Sequence, residues 1–213
     1  QKKESILEKL KMFLEKELKI EDLLVYQRFL EYNELLMEWN SKINLVSRKL
    51  ENIENNIINS IFFLTKYRLE NKFSLVDIGT GGGFPAIPLK ILYPESRILC
   101  VDSIAKKIMV VKDIIEKMAL KKITAIAGRG EDVGKKSEYK HRFDYVTAKA
   151  VAPIKEVKIF GEDFLKSNGK YILIKGGDIT EEINSMRDKP KIILYEGMEG
   201  YGVEDKKLIV IKA

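Results

Sequence analysis

The chain has 213 residues, 45% of them apolar and 33% charged, a balance that excludes a disordered tail and suits one well-cored domain with room for an extension. A formal net charge of +6 permits an anionic partner without requiring one. One cysteine excludes an internal disulfide, and one histidine argues against a zinc site or a His-based triad, so no metal is expected.

Residues 1–70 contain neither glycine nor proline and read as a helical N-terminal extension. Ile6, Leu7, Leu10, Phe13 and Leu14 recur at helical spacing. A second helix is expected from Asp22 to Trp39, broken by the polar loop Asn40–Asn44, and a third from Asn52 to Arg68. The charged, amphipathic start lacks the apolar core of a signal peptide. No apolar stretch reaches the length of a membrane span, so a cytoplasmic protein without a membrane partner is expected.

From residue 71 to 213 the texture changes to short apolar runs alternating with helical segments, the pattern of a parallel α/β sheet. Strands are expected near 74–78, 97–101, 123–127, 143–147 and 171–175. Helices are expected from Pro85 to Tyr93, from Ile104 to Ala119 with Ser103 as N-cap, and from Pro153 to Leu165. A helix from Thr180 to Met186 precedes Lys191–Tyr195 and Leu208–Ile211, which are joined by a loop alone and so form an antiparallel hairpin at one edge. A seven-stranded, mostly parallel sheet ending this way is the methyltransferase variant of the Rossmann-like doubly wound fold.

The chemistry concentrates in Leu75-Val76-Asp77-Ile78-Gly79-Thr80-Gly81-Gly82-Gly83-Phe84-Pro85, a strand that ends at a glycine-dense turn before a helix. Glycines let backbone N–H groups approach a ligand, and the helix N-terminus favours its negative group. A dinucleotide site would want a small residue at position 84, and Phe84 stands there instead. The turn therefore suits a nucleoside without a pyrophosphate, S-adenosylmethionine being the candidate. Asp102 ends the second strand about 20 residues on, where a ribose-binding carboxylate belongs. Gly130 and Glu131, after the third strand, are placed to meet an adenine ring.

The methyl acceptor is narrowed by what is missing. Cys100 lies in a predicted core strand, which argues against the thiol nucleophile of pyrimidine C5 methylation. The Asn/Asp-Pro-Pro-aromatic signature of amino methylases is absent after the fourth strand, where Thr147-Ala148-Lys149-Ala150 stands. A ring nitrogen such as guanine N7 needs only alignment with a sulfonium methyl, and Lys149 would hold a phosphate, a guanine edge or the cofactor carboxylate. Lys121, Lys122, Arg129, Lys135, Lys136, Lys140 and Arg142 form a basic stretch suited to RNA or to plain solubility. His141 reads as a solvated loop residue. Trp39 either stacks on a nucleotide or, more simply, anchors the helical cap to the sheet. The residues alone leave open an RNA methyltransferase, a methyltransferase of small molecules or proteins, and a nicotinamide-dependent reductase.

Trp39-Asn40, Ile43-Asn44-Leu45, Asp77-Ile78-Gly79 through Gly83-Phe84-Pro85, Asp102-Ser103 with Lys106-Lys107, and Gly128-Arg129-Gly130-Glu131 resemble the glucose-inhibited division protein B family over nearly the whole chain. The resemblance implies a class I methyltransferase that moves a methyl from S-adenosylmethionine to N7 of a guanine in 16S ribosomal RNA, as free RNA or in the small subunit. It implies Gly79 and Phe84 at the methionine end, Asp102, Ser103 and Ile104 at the ribose and adenosine, and Gly130 and Glu131 at the adenine. The family usually carries arginine where this chain has Lys149, which keeps the charge and loses the planar fork.

Overall fold

The computed structural model describes residues 7–47, 49–187 and 189–213; the expected helical position Ile6 lies outside them. Seven strands form one sheet: β1 Ser74–Ile78, β2 Arg97–Asp102, β3 Ile123–Ala127, β4 Phe143–Lys149, β5 Leu165–Gly176, β6 Lys191–Leu194 and β7 Lys206–Lys212, in the order β3-β2-β1-β4-β5-β7-β6. β1 to β5 are mutually parallel, and β7 runs antiparallel between β5 and β6. The expected C-terminal hairpin is therefore present, with its second strand inserted against β5 and its first at the edge.

The helices are α1 Glu8–Phe13, α2 Leu23–Asn40, α3 Glu54–Ile61, α4 Ala86–Leu92, α5 Ala105–Lys117, α6 Gly130–Gly134, α7 Ile154–Gly161 and α8 Thr180–Asn184. Alternate residues of the central strands enter two cores, as a sheet covered on both faces requires. Leu75, Ile98, Cys100, Tyr145 and Ile172 pack with α1 to α5, including Phe13, Phe29, Leu36 and Ile57 from the N-terminal helices. Val76, Leu99, Val101, Val146 and Leu173 pack with α6, α7 and α8 on the other face. Residues before 71 thus share one continuous core with the sheet.

Several boundaries differ from expectation for identifiable reasons. Asp22 does cap α2, its carboxylate accepting from Leu24 N at 2.8 Å. Ser103 does not cap α5: the N-cap is Ile104, and the side chain that takes the nearby N–H is Asp102, 2.9 Å from Ile104 N. The third helix starts later than expected because Asn52 Oδ1 accepts from Glu54 N at 3.0 Å in a local turn, and it ends earlier, passing at Phe62 into a 3₁₀ turn. β5 begins six residues before the expected 171 because Leu165 pairs with Phe143; the polar Lys166-Ser167-Asn168-Gly169 between masks the alternation. No helix among the described residues is long and apolar enough to cross a membrane.

Candidate active site

In an open parallel sheet the ligand site lies beyond the strands' carboxyl ends. Here the ends of β1, β2, β3 and β4 enclose a cavity of about 340 Å³. Gly79, Asp102, Ser103, Gly130, Glu131 and Lys149 all line it. The other two expected site residues sit differently. Phe84 is buried beneath the turn, its ring 5.5 Å from that of Tyr32 on α2 and 5.8 Å from Lys149 Nζ. Ile104 reaches the site only through its backbone N–H, and its side chain is half exposed outside the cavity wall.

β2 holds the glycine turn: Val101 O accepts from Gly79 N at 2.8 Å and from Thr80 N at 3.1 Å. Gly79 has φ +69°, a conformation that strains a side chain, and a Cβ there would stand 2.7 Å from Val151 Cγ2, so glycine is favoured on both counts. α2 supports the turn from the rear, Tyr32 OH donating to Gly82 O at 2.8 Å. Asp102 is the organiser of the rim. Its Oδ2 accepts from Gly81 N and its Oδ1 from Ile104 N, each at 2.9 Å, which fixes both oxygens while leaving lone pairs toward the cavity. Gly130 opens α6, where a Cβ would stand 2.6 Å from Phe160 O.

Behind the cavity lies a buried polar group of a different kind. Asp77 is fully buried; its Oδ1 accepts from the Thr147 hydroxyl at 3.0 Å, while Oδ2 closes no hydrogen bond of good geometry, although Thr80 and the Ala86 N–H lie near the carboxyl group. Burial pushes its carboxyl up to about 7, opposed by the surrounding donors and the Lys149 charge. Burial lowers Lys149, Asp77 raises it, and the like charge of Lys206 lowers it further. Burial pushes the Cys100 thiol well up, so no thiolate nucleophile stands near the site.

The remaining candidates have structural partners. Trp39 Nε1 donates to Asp113 Oδ2 at 2.7 Å, tying α2 to α5 rather than to the sheet itself. Asn40 Oδ1 accepts from Leu45 N and Val46 N, both at 2.9 Å, and so shapes the loop after α2. The basic stretch divides: Arg129 lines the cavity, whereas Lys121, Lys122 and Arg142 precede β3 and β4 at the opposite end of the sheet, with Lys122 paired to Glu95 at 2.7 Å. His141 lies at that same far end, its Nδ1 3.0 Å from Leu165 O. Phe160 and Val151 also line the cavity and were not legible as site residues, since each reads as an ordinary apolar position of a helix or loop.

A family model described as rRNA small subunit methyltransferase G matches residues 25–201. The chain belongs to the GidB family. Within it, the ribosomal RNA small subunit methyltransferase G of Thermoanaerobacter sp. (strain X514) is 37% identical over 164 residues, 76% of this chain and 68% of that protein. That of Clostridium novyi (strain NT) is 34% identical over 197 residues, 88% and 80% respectively. Among solved structures, a precorrin-6y C5,15-methyltransferase from Geobacter metallireducens superposes with TM-score 0.52 at 17% identity, covering 78% of this chain and 90% of that one, a likeness of fold alone. The fold is the class I methyltransferase fold, as the strand pattern implied, and GidB membership decides for a methyltransferase over a reductase.

Proposed function

We propose that the cavity at the ends of β1 to β4 binds S-adenosylmethionine and that the enzyme transfers its methyl group to N7 of a guanine in 16S ribosomal RNA, acting in the cytoplasm on the RNA or the small subunit. The observation that carries this reading is Asp102, held at the cavity rim by two backbone N–H groups, one of them from the glycine turn whose Gly79 lines the same cavity. A nucleoside fits this arrangement. The carboxylate accepts both ribose hydroxyls, the bare backbone at Gly79 admits the methionine portion, and Gly130 with Glu131 borders the base. The names of the relatives supply the RNA.

When bound, the sulfonium supplies an activated methyl. The chain's own residues then have no proton to remove, because N7 attacks through a free lone pair; their work is to align two molecules and exclude water. This agrees with a site whose cysteine is an inert core residue. The positive charge leaves sulfur and arrives on the base, so the transfer separates no new charge within the site.

The test is transfer of labelled methyl from S-adenosylmethionine to unmodified small-subunit RNA or subunits, followed by nucleoside analysis. Label in 7-methylguanosine is expected. Label confined to another nucleoside, or to protein, would refute the acceptor assignment.

A further inference from the structure

A second cavity, of about 600 Å³, adjoins the first across Lys149 and Ala150, the two residues that line both. Its floor is the end of β5 at Lys175 and Gly176, and its far wall is α3 with the loop at Gly202 and Glu204. The lining is polar and of two characters. Lys149 stands at the divide, and Lys206, at the start of β7, lies over the floor, its Nζ 2.9 Å from where a Gly176 Cβ would stand. An acceptor lies on the far side: Glu204 is exposed and pairs with no cation among the described residues. Asn59 ties that wall together, its Nδ2 donating to Asn55 O at 2.8 Å and Gly202 O at 2.9 Å while its Oδ1 is buried.

We propose that this second cavity seats the acceptor guanine, with its N7 edge toward Lys149 and the methyl donor and its N1–H and N2–H₂ edge toward Glu204. The inference rests on the reading of the first cavity as the S-adenosylmethionine site. Guanine carries its two kinds of edge on opposite sides of the ring, acceptors at O6 and N7, donors at N1 and N2. A base that aims N7 at the first cavity must therefore turn its donors to the far wall, where the Glu204 carboxylate stands. Adenine has no donor at those positions and would leave the Glu204 carboxylate unmatched. A cavity of this size admits a single nucleotide drawn out of its stack, and the lysines at its mouth suit the flanking phosphates.

The proposal predicts an effect opposite in sign to simple electrostatics. As a mere surface charge, Glu204 repels RNA, so Glu204→Gln would leave or improve RNA use. As the guanine reader, the same change removes one of two accepting oxygens and is expected to lower kcat/KM on unmodified small-subunit RNA by roughly tenfold. Affinity for S-adenosylhomocysteine by calorimetry is expected to stay within about twofold, since Glu204 does not line the first cavity. Lys191→Met, an exposed lysine on the edge strand, serves as the charge control and is expected to leave both values near wild type. Wild-type kcat/KM in Glu204→Gln overturns the proposal. So does a parallel loss of S-adenosylhomocysteine affinity, which would assign the second cavity to the cofactor. A wild-type protein that binds no S-adenosylhomocysteine would instead fell the underlying reading.

Discussion

Asp102 and Asp77 end or nearly end neighbouring strands, yet the structure gives them opposite environments. Asp102 sits at the cavity rim with both oxygens already accepting from backbone N–H groups. Asp102→Ala is expected to weaken S-adenosylhomocysteine binding by roughly 1–3 kcal/mol, the worth of the charge-assisted ribose bonds, and calorimetry measures it. Some loss of Tm should accompany it, because the Gly81 and Ile104 N–H groups lose their acceptor. Asp77 is buried behind the cavity with its carboxyl near 7, so the native state keeps a proton that the unfolded chain releases near pH 4. The sign follows: between about pH 4 and 7 the native state binds more protons, and this group's contribution to stability falls as pH rises. In urea titrations Asp77→Asn should therefore gain on wild type as pH goes from 5 to 7. A stability difference that does not change with pH would place the Asp77 carboxyl in the ordinary range. Asp102 was legible because an acid at a strand end, a fixed distance after a glycine turn, is a positional signal. Glu204 and Asn59 carried none, because they meet at the second cavity only after the chain has folded.

At the scale of elements, the glycine turn is clamped from two sides. β2 holds it through Val101, and α2 supports it through Tyr32. The N-terminal helices are thus part of the site's foundation. α2 is itself fastened to α5 by Trp39 and Asp113, and that aspartate is shared with Lys117 at 2.9 Å. A double-mutant cycle with Trp39→Phe and Asp113→Asn should show a coupling on the order of 1 kcal/mol in denaturant unfolding. A coupling indistinguishable from zero would mean that the indole N–H is as well served by water. The strands and longer helices could be read from apolar alternation and 3.6-residue spacing. α6 could not: five residues beginning at Gly130 are too few for a period to show. The early part of β5 escaped for a related reason, its pairing being set by the partner strand and not by its own polar residues.

For the molecule as a whole, one sheet covered on both faces presents two adjoining cavities at a single edge, divided by Lys149 and Ala150 at the end of β4. The topology could be anticipated, since five β-and-α units followed by a strand–loop–strand leave few unknotted arrangements. What could not be read was the division of the basic stretch between the two ends of the sheet, because residues adjacent in sequence at a strand's start and finish are separated by the length of the strand. Of the residues that looked like one RNA-binding run, Arg129 lines the first cavity, while Lys121, Lys122 and Arg142 lie at the far end of the sheet. The claim on which everything else stands is that this cavity takes a sulfonium nucleoside. Titration calorimetry of the purified protein with S-adenosylhomocysteine and, separately, with NADH tests it most directly. Saturable one-to-one binding of the first with no heat from the second is the expected result; tight NADH binding with none of S-adenosylhomocysteine would contradict it.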